Sequence, residues 1–98
     1  MKPGDTIQIQ QRDAVLHWLY ATVIQESEGG ALVEVNHPGN TEHGRQKYVP
    51  KGQFRTKAEL QAQYDAFAQE IAAGKRDISD PRTRAERESL LVQSERLS

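Results

Sequence analysis

The strongest constraint on the fold is the stretch from His17 to His37, where two runs of strand-forming residues flank Glu28-Gly29-Gly30. Trp, Tyr, Thr, Val and Ile suit a pleated, half-buried surface. Adjacent glycines supply the positive φ that tight primed turns need and that residues with a Cβ avoid. The pattern predicts a β-hairpin. With Gly29 and Gly30 as its loop, Glu28 faces Ala31, Ser27 faces Leu32, Ile24 faces Val35 and Thr22 faces His37. One face then holds Trp18, Tyr20, Ile24, Val33 and Val35, and the other Leu19, Ala21, Val23 and Leu32. A strand wetted on one side shows a polar residue at every second position. Both faces are apolar near the base of this hairpin, so an element outside the sheet is expected to cover it.

Ahead of the hairpin, Thr6-Ile7-Gln8-Ile9-Gln10 alternates as a strand with one buried face should, with Ile7 and Ile9 inward. Residues 11–16 have no clean period and are expected to be a loop, with Val15 or Leu16 starting the next strand. After it, His37 to Gly44 is a polar loop of the kind that carries contacts. Arg45 to Pro50 predicts a fourth short strand, which Pro50 ends or marks as an edge because proline cannot donate to a ladder. Lys51 to Arg55 is expected to be a turn leading out of the sheet.

Thr56-Lys57-Ala58-Glu59 has the form of a capping box. Leu60, Tyr64, Phe67 and Ile71 follow at helical spacing, and Gly74 is placed to end the helix. Asp80-Pro81 supplies an N-cap and an N1 proline for a second helix, to about Arg96, with few apolar residues: Ala85, Leu90, Leu91, Val92 and Leu97. Such a helix is marginal alone. Leu90 and Leu91 are therefore candidate contacts to another protein, a second copy of the chain included.

Ninety-eight residues make one domain. The absence of cysteine excludes disulfides and thiolate metal sites. The first residues hold no apolar signal core and no apolar run reaches spanning length, so a cytoplasmic protein with no membrane partner is expected. The net charge of −1 conceals a segregation. Residues 1–43 carry two basic and six acidic side chains, residues 44–57 five basic and none acidic, and residues 58–98 six basic and eight acidic.

The order of these segments resembles a known family. Pro3-Gly4-Asp5-Thr6-Ile7, Trp18 to Val23, Leu32-Val33-Glu34-Val35 and Tyr48-Val49-Pro50 are similar to the strands of Tudor-type and other SH3-like barrels, over residues 4–55. The resemblance implies a small antiparallel barrel at residues 1–55, with Ala21 and Val23 inside it and Trp18 and Tyr20 outside. A helical extension at 56–98 would pack on the barrel, with Tyr64, Phe67 and Ile71 against Trp18 or Tyr20. Tudor domains that bind methylated side chains do so with an aromatic cage. The corresponding positions here hold Leu19, Val35 and Pro38, so the cage is not carried over.

The chemistry excluded is as informative. His17, His37 and His43 have no metal-ligand spacing, no nucleophile motif or phosphate loop occurs, and so small a chain has little room for a pocket that excludes water. No catalytic residue, metal or cofactor is expected, and the chain is read as a non-enzymatic adaptor acting through protein–protein interaction. Trp18 and Tyr20 are the sheet's candidate contacts, since large aromatics anchor interfaces. The alternative is nucleic-acid binding through the basic strip, using Arg45, Lys47, Tyr48, Lys51 and Arg55.

Overall fold

The computed structural model describes residues 1–12 and 16–98. They form five strands and two helices: β1 (Thr6–Arg12), β2 (Leu16–Ser27), β3 (Gly30–Val35), β4 (Gln46–Pro50), β5 (Phe54–Arg55), α1 (Lys57–Ala72) and α2 (Pro81–Glu95). The strands make one antiparallel sheet in the order β4-β3-β2-β1-β5. The sheet is not closed, since β4 and β5 each have a single neighbour. The chain divides into two compact units, Met1–Thr56 with Leu97–Ser98, and Lys57–Arg96.

In the sheet unit, Ile7 and Ile9 of β1 point inward as expected, while Gln8 between them, expected on a wetted face, is also buried. Ile7 and Ile9 are fully buried and join Leu19, Ala21, Val23, Ala31, Val33, Val35 and Val49 in one core, against which Phe54 packs. The hairpin forms, but in a different register. Ser27 faces Gly30, Glu26 faces Ala31 and Gln25 faces Leu32, then a bulge at Ile24 sets Val23 opposite Val33 and Ala21 opposite Val35. The turn is therefore Glu28-Gly29, and neither Gly29 nor Gly30 has a positive φ. Gly30 serves close approach instead: a Cβ there would lie 2.2 Å from the Val49 carbonyl oxygen. The bulge places Val33 and Val35 with Leu19, Ala21 and Val23, on the opposite face from Trp18 and Tyr20.

Two boundaries also differ from expectation. Gln11 and Arg12 extend β1, paired with His17 and Leu16, while Asp13, Ala14 and Val15 of the expected loop lie outside the described residues. Phe54 and Arg55 are a strand rather than a turn, facing Ile9 and Gln8 of β1. Leu97, grouped in the sequence with the apolar residues of the second helix, is buried in the sheet unit at 4% exposure. Beside it the Ser98 N–H donates to the Thr6 carbonyl at 3.1 Å, and the Thr6 N–H donates to Ser98 Oγ at 3.2 Å.

In the helical unit, α1 starts directly after Thr56 and buries Leu60 and Phe67. Its end is a Schellman motif: Gly74 has φ +76°, its N–H donates to the Ile71 carbonyl at 3.1 Å, and the Lys75 N–H donates to the Glu70 carbonyl at 2.9 Å. Arg76 then lies 4.4 Å above the Phe67 ring, hydrogen-bonds Glu70 of α1 and pairs with Glu86 of α2 at 3.6 Å. The Glu70 hydrogen bond raises the guanidinium pKa above its already high ordinary value. Asp77 closes the connecting turn. Its carboxylate accepts from the Ser79 hydroxyl at 2.7 Å and the Ser79 N–H at 2.9 Å, and these bonds hold its pKa below the ordinary value.

Asp80 caps α2 as the sequence indicates, its Oδ1 accepting from the Arg82 N–H at 2.9 Å, with Pro81 in the first turn. Removing that acceptor in Asp80→Ala should destabilise the helical unit by about 1 kcal/mol. Thermal melting followed by circular dichroism checks this. An unchanged midpoint would mean that the cap contributes nothing.

Candidate functional site

The aromatic candidates of the sheet are already engaged. Trp18 faces Gln10 across the β1–β2 pair, on the side away from the core, and the Arg55 guanidinium stacks over its ring 4.1 Å from the centroid. Arg55 Nε also donates to Gln8 Oε1 at 2.6 Å, and Gln8 is buried at 2% exposure. Tyr20 stacks on His37, with ring centroids 5.7 Å apart and 13° between planes, while its N–H donates to His37 Nδ1 at 3.2 Å. Trp18 and Tyr20 are both half-buried.

The histidines have hydrogen-bonding roles in the same region. His17 Nε2 lies 2.9 Å from Gln11 Oε1, and His43 Nδ1 accepts from the His37 N–H at 3.1 Å. Among the described residues no three His, Asp or Glu side chains are arranged to hold a metal ion. None of the described helices is long and apolar enough to cross a membrane. On α2, Leu90 is half-buried while Leu91 and Val92 are 37% and 42% exposed.

The basic strip is split rather than gathered. Arg55 sits on β5, at the opposite edge of the sheet from β4, and is committed to Trp18 and Gln8. Successive residues of a strand point to opposite faces, so Lys47, opposite the buried Val33, and Tyr48, opposite Leu32, emerge on different sides of β4. Arg45 pairs with Glu42 at 3.5 Å. Tyr48 is 52% exposed, and its hydroxyl leans over the side-chain-free tip at Gly29 and Gly30. Lys51 is joined by a residue that the sequence did not single out. It and Arg12, with Gln10, Gly52 and Gln53, line an open recess of about 500 Å³ at the turn after β4. Nothing in the sequence brings Arg12 to Lys51; the pairing of β5 on β1 does.

The backbone of β4 completes the site. The Val35 N–H donates to the Arg45 carbonyl at 2.8 Å and the Lys51 N–H to the Gly29 carbonyl at 3.0 Å. Hydrogen-bonded pairs recur at every second residue of an antiparallel ladder. Lys47 and Val49 therefore turn their backbone groups toward β3, and Gln46 and Tyr48 turn theirs away. Among the described residues no strand pairs with that outer edge. Pro50 ends it, having no N–H, and its carbonyl accepts from the Gln53 N–H at 3.1 Å.

Comparison with protein-family models, curated proteins and solved structures returns no match to this chain.

Proposed function

We propose that this chain is a non-enzymatic binding module acting through protein–protein contact, with its sheet rolled into a partly open SH3-like barrel. The observation that carries the reading is the outer edge of β4, where the exposed Tyr48 stands beside backbone groups that no strand among the described residues satisfies. An unpaired edge is a template for another chain.

The roll is supported by connectivity. Laid flat, five strands would hold their outer members about 19 Å apart at ~4.8 Å per step. Yet β4 and β5 are joined through a turn in which the Gln53 N–H reaches the Pro50 carbonyl at 3.1 Å, with Gly52 at φ +89°. The outer strands converge there, and buried side chains of β1 to β4 form one cluster against which the half-buried Phe54 of β5 packs.

Nucleic-acid binding is the second reading, favoured by five basic and no acidic side chains in residues 44–57. Against it, Arg55 is occupied, Arg45 is paired, and Tyr48 and Lys47 face apart. Titration with mixed-sequence single- and double-stranded nucleic acid at low salt should give no saturable complex. A complex that weakens steeply with added salt, and is lost when Arg45, Lys47 and Lys51 are neutralised together, would overturn the protein-binding reading.

A further inference from the structure

We propose that the occupant of the β4 edge is an acidic segment of a partner protein in extended conformation, added as a further strand beside Gln46 and Tyr48. The inference rests on the protein-binding reading above and names the class of partner. Strand addition takes its affinity from main-chain hydrogen bonds and its specificity from alternate side chains. Here the N–H and C=O of Gln46 and Tyr48 supply the first, and the side chains around β4 supply the second.

Charge selects the partner. Arg45, Lys47 and Lys51 share a phase along β4, and Lys51 shares its recess with Arg12. The acids around β4 include Glu42, which pairs with Arg45, Glu34, which stands opposite Gln46 on the other face, and Glu28, next to the Gly29 whose carbonyl accepts from the Lys51 N–H. A strand with carboxylates at alternate positions therefore meets Lys47 and Lys51 on one side and the exposed Tyr48 ring on the other. A second copy of β4 would bring Arg45, Lys47 and Lys51 against the same residues of its twin, and like charges across a strand pair are destabilising. Pro50 sets the limit of the added strand, because beyond Tyr48 the edge offers no further N–H.

The test uses a fluorescent peptide of alternating Glu and Val, its lysine counterpart, and two versions of the Glu peptide methylated at every second backbone nitrogen in opposite phases. The Glu peptide should bind saturably at low salt and the Lys peptide should not. One methylated phase should bind about tenfold or more weaker, because it removes the donors facing β4. Gln46→Pro should weaken binding to the same degree. Its missing N–H points away from β3, so the fold should be kept, and melting verifies this. Lys47→Glu with Lys51→Glu should abolish binding.

Equal affinity of both methylated peptides and the parent would reduce the interaction to charge attraction and overturn the inference. So would absence of binding, or self-association in sedimentation that Gln46→Pro abolishes, which would make a second copy the occupant. These outcomes leave the protein-binding reading standing. A nucleic-acid complex of the kind described above overturns both.

Discussion

Replacing Gly30 with alanine should destabilise the sheet unit by about 3 kcal/mol, near the upper end of what overpacking costs. The added Cβ would lie 2.2 Å from the Val49 carbonyl oxygen and 2.9 Å from the Pro50 Cα, both backbone atoms of β4. Neither can yield without moving the strand. Gly30 has no positive φ, so the penalty comes from contact and not from backbone strain. Gly29→Ala is the control. Its Cβ would meet the Tyr48 hydroxyl at 2.7 Å, at the end of a side chain that can swing aside, so its cost should stay below about 1 kcal/mol. Denaturant unfolding of the two variants checks the difference. Equal stability would place β4 elsewhere than over Gly30.

Ile9→Ala should cost about 4 kcal/mol, lowering the melting midpoint by roughly 15 °C or more. Ile9 is fully buried and faces Leu19 on β2 and Phe54 on β5, so its removal opens a cavity where three strands meet. Phe54 of the two-residue β5 would lose the residue it faces, and the pairing of β5 should loosen with the core although Arg55 still holds Gln8 and Trp18. Leu16→Ala, at a position 51% exposed, should change stability by no more than about 0.5 kcal/mol. A small effect at Ile9 would mean that the sheet does not enclose a packed interior.

Much of this fold is legible in local chemistry. Alternation places Ile7 and Ile9 inward, Pro50 marks β4 as an edge, Gly74 ends α1, and Asp80 with Pro81 starts α2. The hairpin register is not legible. A glycine pair serves positive φ or close approach equally well, and only the position of β4 decides that Gly30 lies beneath Val49. The turn shift moves each pairing by two residues and keeps every side chain on its expected face; the bulge at Ile24, which adds one residue, is what moves Val33 and Val35 to the other face. β5 is hidden for a simpler reason, since Phe54 and Arg55 are too few to show a period.

The candidate site divides in the same way. A run of basic residues is visible in sequence, but its dispersal is not. Arg55 is drawn to Trp18 by strand pairing between β1 and β5, and Tyr48 is separated from Lys47 by alternation on β4. Arg12 meets Lys51 only through tertiary structure. The unpaired edge follows from the ladder phase fixed by Val35 and Lys51, which lie outside the strip's aromatic centre.

Residue-resolved amide exchange along β4, with and without the alternating Glu-Val peptide, tests recognition by this edge most directly. Free protein should show slow exchange at Lys47 and Val49 and fast exchange at Gln46 and Tyr48, and the peptide should slow Gln46 and Tyr48 while leaving the other pair unchanged. Protection of Gln46 and Tyr48 in the free protein, or fast exchange there at saturating peptide, would contradict the account.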